Sequence, residues 1–211
     1  QKCLLPFKEK PILIHILDTI KNAFGSANVV IATGYNGDKI RELIGNGYGK
    51  IVVNYVHSSE LLETRRRLLL AKDMLSGPFL ISPGDVICQP ELMAQLASSY
   101  ETDRSAGMIG SVSVSNLHEK VPTHALIKVS DSYVAEIIYP PTLSWTPDQF
   151  REVGIAFYDR EFLTLAEEAP VDLKFLSQVL IEALQCGKRF RAEQYFSQWY
   201  HFATPEDLAK S

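Results

Sequence analysis

The fold is decided by Pro78-Phe79-Leu80-Ile81-Ser82-Pro83-Gly84-Asp85-Val86-Ile87, an apolar run that ends in a glycine and a single carboxylate. The run predicts a buried strand that carries Asp85 to its carboxyl end. Ligands bind at that edge of an open α/β sheet, because the loops diverge there and leave a crevice. A carboxylate at that position suits Mg²⁺, which takes oxygen ligands and completes its shell with phosphate oxygens. The alternative is an ordinary turn aspartate after a glycine, and the local pattern leaves both interpretations open.

Helical and strand patterns alternate in the segments before this run. Apolar residues recur at helical spacing from Ile12 to Phe24, and Gly25 follows as a stop signal. Further elements are predicted at residues 28–33 (strand), 40–44 (helix), 51–56 (strand) and 68–75 (helix). This order implies parallel pairing through right-handed crossovers, and therefore a doubly wound α/β sheet.

The second half of the chain is richer in strands. After a helix around Leu92, strands are predicted at residues 108–115, 125–129 and 133–139, with polar turns between them. The irregular stretch Thr142 to Arg151 contains Trp145 and is typical of a lid or substrate loop. A strand at 153–158, helices at 162–169 and 173–184, and a strand at 189–196 follow. Thr204 and Pro205 are typical of a helix start.

Bulk properties limit the classes of protein. With 211 residues, of which 46% are hydrophobic and 22% charged, we expect one globular domain with a full core. The net charge is −4, whereas a nucleic-acid groove requires an excess of basic residues to neutralise phosphates. We therefore expect no nucleic-acid partner. Three widely spaced cysteines without a ligand pattern are typical of reduced thiols in a cytoplasmic protein. No apolar run approaches the ~20 residues that span a bilayer, so we expect a cytoplasmic protein without a membrane partner.

Several short motifs follow one another in a recognisable order. They are Lys2-Cys3-Leu4-Leu5-Pro6-Phe7, Lys10-Pro11-Ile12-Leu13, Thr33-Gly34-Tyr35, Leu68 to Asp73, Gly84-Asp85, Gly154-Ile155, and Trp199 with Thr204-Pro205-Glu206-Asp207-Leu208. This series resembles the sugar-phosphate nucleotidyltransferases, also called nucleotide-sugar pyrophosphorylases, with the phosphocholine cytidylyltransferases as close cousins. The resemblance extends over nearly the whole chain.

The resemblance implies a three-layer Rossmann-like fold with a mostly parallel central sheet and a β-rich extension on the acceptor side. It also implies one domain over 1–211, with a nucleotide-side half at 1–101 and an acceptor-side half at 102–211. The implied reaction is nucleotidyl transfer, in which the phosphate of a sugar or alcohol attacks the α-phosphorus of a nucleoside triphosphate and pyrophosphate leaves. Such chemistry requires in-line positioning and charge neutralisation.

Site residues follow from the matched positions. Lys2 is expected to face phosphate, with Lys8 and Lys10 as alternatives, and Asp85 is expected to bind Mg²⁺. Gly84, together with Thr64 and Arg65, falls at nucleotide-binding positions, whereas Gly154 and Trp199 fall at positions on the substrate side.

Four departures from the family pattern bear on activity. The family's opening strand and Gly-rich turn should precede Lys2, and we expect that this piece is left out of the sequence. In the second departure, Ser58 and Glu63 to Arg67 replace a base-binding glutamine and a Gly-Thr-Ala-Gly turn. Either one or two of the three arginines bind phosphate, or they form a solvated helix start. Only some of them can face one ligand, because consecutive helical residues point about 100° apart.

The remaining departures concern the metal and the acceptor. His201 stands where many members have a second metal-binding aspartate, and an imidazole is a poorer ligand for Mg²⁺. Ile138-Tyr139-Pro140-Pro141 replaces a Glu-Lys-Pro motif that binds the sugar phosphate. The sequence thus leaves two hypotheses: a Mg²⁺-dependent enzyme acting on a nucleoside triphosphate and a small phosphorylated acceptor, or a catalytically degenerate homologue that acts as a ligand-binding or regulatory subunit. An oligomer is compatible with both.

Overall fold

The computed structural model describes residues 1–116, 124–142, 146–204 and 207. The chain forms two compact units, the first from the described parts of Gln1–Leu62, Ser82–Ala94 and Ser197–Ser211, the second from those of Glu63–Ile81 and Gln95–Phe196. The chain therefore passes from one unit to the other four times. These units do not follow the expected boundary at residue 101, and the expectation of a single domain stays a prediction.

The helices alternate with strands as the apolar spacing predicts. They are α1 (Ile12–Phe24), α2 (Gly37–Ile44), α3 (Thr64–Leu70), α4 (Pro90–Asp103), α5 (Arg160–Glu168) and α6 (Leu176–Gln185). Short 3₁₀ turns lie at Lys2–Leu4, Lys72–Met74 and Arg104–Ala106. No helix in the described ranges is both long and apolar enough to cross a bilayer.

The strands follow the same order along the chain. They are β1 (Pro6–Phe7), β2 (Lys10–Pro11), β3 (Ala27–Thr33), β4 (Gly47–Tyr48), β5 (Ile51–His57), β6 (Phe79–Ile81), β7 (Val86–Ile87), β8 (Met108–Ser115), β9 (Leu126–Ser130), β10 (Tyr133–Ile138), β11 (Gln149–Tyr158), β12 (Arg189–Gln194) and β13 (Tyr200–His201).

In the first unit, β3 and β5 form the parallel pair that the sequence predicts. Their register runs from Ala27 opposite Ile51 to Thr33 opposite His57, and β4 joins β5 antiparallel. The apolar side of α1 is buried, and Gly25 ends the helix at φ 73°, a conformation that glycine adopts without strain. Two small antiparallel pairs, β1 with β2 and β7 with β13, complete the unit.

In the second unit, six strands form one sheet in the order β6-β11-β8-β12-β10-β9. The α/β class is confirmed, but the pairing differs from the expected mostly parallel sheet. Among the described pairings of this sheet, only β12 with β8 is parallel, and the other pairings are antiparallel. The long strand β11 lies between β6 and β8 and runs antiparallel to both.

The core of the second unit lies between this sheet and α5 and α6. Val112 and Val114 of β8 pack in that core with Phe162 of α5 and Leu180 of α6. Side chains alternate along a strand, and Ser111 on the other face donates a hydrogen bond to the carbonyl of Leu96 in α4 (2.7 Å). This unit is thus a helix, sheet and helix arrangement of three layers.

The structure corrects some element boundaries. The predicted strand at 78–87 is two short strands, β6 and β7, separated by the turn Ser82 to Asp85, because Pro83 and Gly84 interrupt the pairing. The predicted helix at 68–75 begins at Thr64 and ends at Leu70. The lid prediction falls partly on residues 143–145, outside the described residues, and β11 begins at Gln149 within that stretch. The predicted closing helix also lies mostly outside the described residues.

We expect Gly110→Ala to destabilise the protein. A Cβ at this position of β8 would lie 2.7 Å from the backbone oxygen of Phe157 and 2.7 Å from a ring carbon of Tyr158. A backbone atom in a sheet cannot move away cheaply, so we expect a loss of about 1 to 3 kcal/mol in the free energy of unfolding, measured by urea titration.

Gly77→Ala is the matched control, because a Cβ at Gly77 meets no atom within 4 Å. Its unfolding free energy should stay within about 0.5 kcal/mol of the wild-type value. Equal stability of the two variants would contradict the close packing of β8 against β11.

Candidate functional site

Asp85 lies in the first unit, in the turn that connects β6 to β7. Its Oδ2 atom is 3.9 Å from Lys2 Nζ and 3.9 Å from His201 Nε2. The three residues come from the start, the middle and the end of the chain. They are therefore neighbours only because the chain folds, and they form the site that we consider first.

Backbone hydrogen bonds hold this arrangement. Strand β13 pairs antiparallel with β7, which places His201 opposite Val86. The backbone N–H of Phe202 donates to the carbonyl oxygen of Asp85 (2.9 Å). His201 is thereby held next to Asp85, at the point where the sequence led us to expect a replaced metal ligand.

The structure distinguishes among the three candidate lysines. Lys10 Nζ pairs with Asp18 at 3.0 Å. Lys8 Nζ lies 3.3 Å from the hydroxyl of Tyr200 and 5.0 Å from the ring centre of Phe7. Of the three, Lys2 is the lysine beside Asp85. Its side chain is 54% exposed, so the ion pair is worth about 0 to 1 kcal/mol and can open to admit a ligand.

Two further residues of the first unit, Cys3 and Trp199, are buried. The turn at Gly84 lies against Cys3, since a Cβ built on Gly84 would be 3.7 Å from Cys3 Cβ. Burial raises the pKa of the Cys3 thiol, and the nearby Asp85 carboxylate raises it further. The thiol is therefore protonated at neutral pH and is not a nucleophile. Trp199 is buried and directly precedes β13, the strand that carries His201.

The donor set permits only a limited metal site. No group of three or more His, Cys, Asp or Glu side chains with metal-binding geometry occurs in the described part of the chain. Asp85 supplies carboxylate oxygens and His201 an imidazole nitrogen. Mg²⁺ commonly binds through one or two carboxylates together with substrate phosphates and water, so Asp85 fits such an ion only with phosphate oxygens present.

Thr64 and Arg65 belong to the second unit and have structural partners there. Thr64 Oγ1 accepts a hydrogen bond from the backbone N–H of Leu176 (3.1 Å), at the start of α6. Arg65 is buried, with 5% of its surface exposed. The interpretation of a solvated helix start agrees with the exposure of Arg66 and Arg67 and is wrong for Arg65.

All five N–H groups of the Arg65 guanidinium donate to backbone carbonyls around the end of α5. The acceptors are Ala166, Glu167, Ala169, Pro170 and Leu173. This leaves the guanidinium no N–H group for a phosphate. The charge of Arg65 instead satisfies the carbonyls that a helix leaves unpaired at its carboxyl end.

Arg65→Met should therefore destabilise the protein, because several carbonyls would lose their donors. We expect a decrease on the order of 3 kcal/mol in unfolding free energy, measured by urea titration. Arg66→Met is the control, since Arg66 neighbours it in α3 and is exposed, and its stability should stay close to wild type. Weaker nucleotide binding by Arg65→Met without a loss of stability would contradict the structural role.

Gly154 lies in β11 of the second unit, where the pairing with β8 shifts register between Glu152 and Ala156. Its φ of 91° is a conformation that other residues rarely adopt. This is a β-bulge, a feature that often redirects side chains next to functional sites.

Glu152, beside this bulge, is a candidate that our sequence reasoning missed. Its Oε2 atom accepts a hydrogen bond from the hydroxyl of Ser177 in α6 (3.0 Å). Burial raises the pKa of Glu152, and the Ser177 hydrogen bond opposes that rise. The available signal was a carboxylate two residues before a glycine in β11, but α6 is distant in sequence.

Comparison with known proteins shows what the chain is similar to. No family model matches the chain. The chain is 29% identical over 212 residues to the mannose-1-phosphate guanylyltransferase catalytic subunit beta of Drosophila pseudoobscura pseudoobscura, covering 98% of the chain and 54% of that protein. It is 30% identical over 107 residues to the CMP-5'-(3-aminopropyl)phosphonate synthase of Streptomyces rubellomurinus, covering 50% of the chain and 17% of that protein. The matches thus span about half or less of these relatives.

Solved structures show the same fold. UDP-glucose pyrophosphorylase complexed with UDP-glucose superposes with a TM-score of 0.84 at 16% identity, covering 99% of this chain and 88% of that one. The inositol-1-phosphate CTP transferase from T. maritima gives a TM-score of 0.72 at 15% identity, covering 98% and 82%. The sequence relationship and the shared Rossmann-like fold confirm the expected resemblance: the chain is similar to sugar-phosphate nucleotidyltransferases.

Proposed function

We propose that this protein catalyses Mg²⁺-dependent nucleotidyl transfer from a nucleoside triphosphate to a small sugar phosphate or alcohol phosphate. An acceptor phosphate oxygen attacks the α-phosphorus, the bond between the α-phosphorus and the bridging oxygen breaks, and pyrophosphate leaves. The observation that carries the proposal is the placement of Lys2 and His201 around Asp85.

Each group has a role that its chemistry allows. Asp85 would hold Mg²⁺, which when bound neutralises phosphate charge and orients the triphosphate. Lys2 would leave its exposed ion pair and place its ammonium on a phosphate oxygen. Gly84 would let the turn approach the nucleotide, because it carries no side chain. In this proposal Thr64 and Arg65 support α3, α5 and α6 rather than contact the nucleotide.

The names of the relatives support a small phosphorylated or phosphonylated acceptor. Their names include a mannose-1-phosphate guanylyltransferase, a CMP-5'-(3-aminopropyl)phosphonate synthase and an inositol-1-phosphate CTP transferase. Hexose phosphates and other phosphorylated or phosphonylated acceptors therefore both belong in a substrate panel. Gly154 would lie on the acceptor side, and Trp199 would support the segment of His201.

Asp85→Asn tests the reaction. In the full-length protein we expect pyrophosphate release to fall at least about a hundredfold, because an amide cannot neutralise the charge of Mg²⁺. Release would be measured with the four common ribonucleoside triphosphates against glucose 1-phosphate, mannose 1-phosphate and phosphocholine. Asp38→Asn, an exposed carboxylate of α2 in the same unit, should retain wild-type release.

His201→Asp tests whether residue 201 contributes to the binding of Mg²⁺. A second carboxylate next to Asp85 should lower the Mg²⁺ concentration for half-maximal release by about tenfold, since added ligand charge strengthens binding of hard cations. An unchanged Mg²⁺ dependence at normal turnover would remove His201 from the metal site.

The second hypothesis, a catalytically degenerate binding or regulatory subunit, is favoured by one observation. His201 stands beside Asp85 in place of a second carboxylate, which leaves a poor donor set for Mg²⁺. Nucleotide binding by calorimetry, combined with no pyrophosphate release by the full-length protein for any pair of substrates, would establish this alternative.

A further inference from the structure

Asp85 and His201 present an oxygen donor and a nitrogen donor to the same space. The Asp85 Oδ2 and His201 Nε2 atoms are 3.9 Å apart, which is too long for a hydrogen bond. A metal ion that contacts both donors at about 2.1 Å requires them to lie at most about 4.2 Å apart. The observed separation meets this limit, so a single ion can contact both side chains.

The position of His201 is fixed by the aromatic residues on either side of it in the chain. Side chains alternate along a strand, and the rings of Tyr200 and Phe202 stack with centres 6.1 Å apart and planes 8° apart. Both rings also pack against Phe7. The imidazole of His201 therefore points to the opposite face, where Asp85 lies. Only 13% of the His201 side chain is exposed, so the imidazole is held near the carboxylate before a ligand binds.

A mixed nitrogen and oxygen donor set selects a different class of metal ion from a set of carboxylates. Mg²⁺ prefers oxygen ligands and gives up its water reluctantly. First-row transition ions accept imidazole nitrogen as well as carboxylate and phosphate oxygen, and their affinity for such donors rises from Mn²⁺ to Co²⁺. Asp85 together with His201 therefore suits these ions better than Mg²⁺.

We infer that Asp85 and His201 bind a divalent transition-metal ion, of which Mn²⁺ and Co²⁺ are representative, in preference to Mg²⁺. Phosphate oxygens and water complete the coordination, because the two side chains supply only two donors. Mg²⁺ binds at the same place more weakly, through Asp85. Lys2, whose ion pair with Asp85 is exposed, moves to phosphate when the ion binds. The use of this ion in nucleotidyl transfer rests on the proposed function; the preference among metal ions does not.

The competing explanation is that His201 has only a structural role beside Asp85. Replacing His201 would then change the stability of the first unit and leave the preference among metal ions unchanged. The test must therefore detect nitrogen bound to the metal and compare two metal ions, and not measure activity alone.

Pulsed electron paramagnetic resonance of Mn²⁺ detects a bound nitrogen directly, because an imidazole ligand adds a nitrogen hyperfine coupling. The samples contain the full-length protein, Mn²⁺ and inorganic tripolyphosphate, which supplies phosphate oxygens but no nitrogen. We expect the nitrogen coupling in wild type. His201→Gln, which keeps a polar side chain of similar size, should lose it. His57→Gln should retain it and is the matched control, because His57 is an exposed histidine of the same unit.

Calorimetric titrations with Mn²⁺ and with Mg²⁺ measure the preference. His201→Asp changes the mixed donor set to oxygen alone, so we expect the ratio of the Mg²⁺ to the Mn²⁺ dissociation constant to fall at least about tenfold relative to wild type. If His201→Gln does not fold, Asp85→Asn is a second variant, which should lose Mn²⁺ binding and the nitrogen coupling together.

Four results would overturn the inference: no nitrogen coupling in wild type, a coupling that survives in His201→Gln, the same preference in wild type and His201→Asp, or no binding of Mn²⁺ at millimolar concentration. Nitrogen coupling without pyrophosphate release, for every pair of substrates with Mn²⁺ present, would support the inference and reject the transfer reaction. Release with Mg²⁺ by a protein that shows no nitrogen coupling would do the reverse.

Discussion

The candidate site depends on one short antiparallel pairing, β7 with β13. Each strand has only two residues, yet the pairing brings the end of the chain to the turn after β6. It places His201 beside Asp85, and the Phe202 N–H fixes the carbonyl of Asp85 itself. This pairing therefore holds the two residues next to each other.

A pairing this short requires side-chain packing. The ring of Phe7 lies 4.9 Å from that of Tyr200 and 5.0 Å from that of Phe202, centre to centre. Aromatic pairs at such distances add about 0.5 to 1.5 kcal/mol each to the burial of their surface. Because Phe7 belongs to the hairpin of β1 and β2, the packing that secures β13 also positions the segment next to Lys2.

The two carboxylates of interest are stabilised differently. Asp85 is partly exposed beside an ammonium and an imidazole, so it can exchange partners at little cost. Glu152 has a neutral donor and raised pKa, so its environment favours either protonation or a cation. Arg65 is a contrasting case. Its charge is buried and all of its N–H donors bind backbone carbonyls, so its role is structural.

Much of the secondary structure could be predicted from the sequence, because apolar spacing reports which side of an element is buried. Helix α1, with its glycine stop, and the parallel pair β3 and β5 were predicted in this way. The predicted strand at 78–87 was too long, since Pro83 and Gly84 break the ladder inside an apolar run. The burial of Arg65 was missed for a different reason, because its five acceptors lie about one hundred residues further along the chain.

By itself, the sequence determined the α/β class, the resemblance to the nucleotidyltransferases and the candidate metal carboxylate, since these follow from local periodicity and from ordered motifs. Only the tertiary structure decided which lysine lies beside Asp85, that His201 lies there too, and that Ser177 of α6 donates a hydrogen bond to Glu152. The physical reason is that hydrogen bonds and ion pairs act over about 3 to 4 Å, while the residues that make them are separated by tens of positions along the chain. Folding alone brings such residues together.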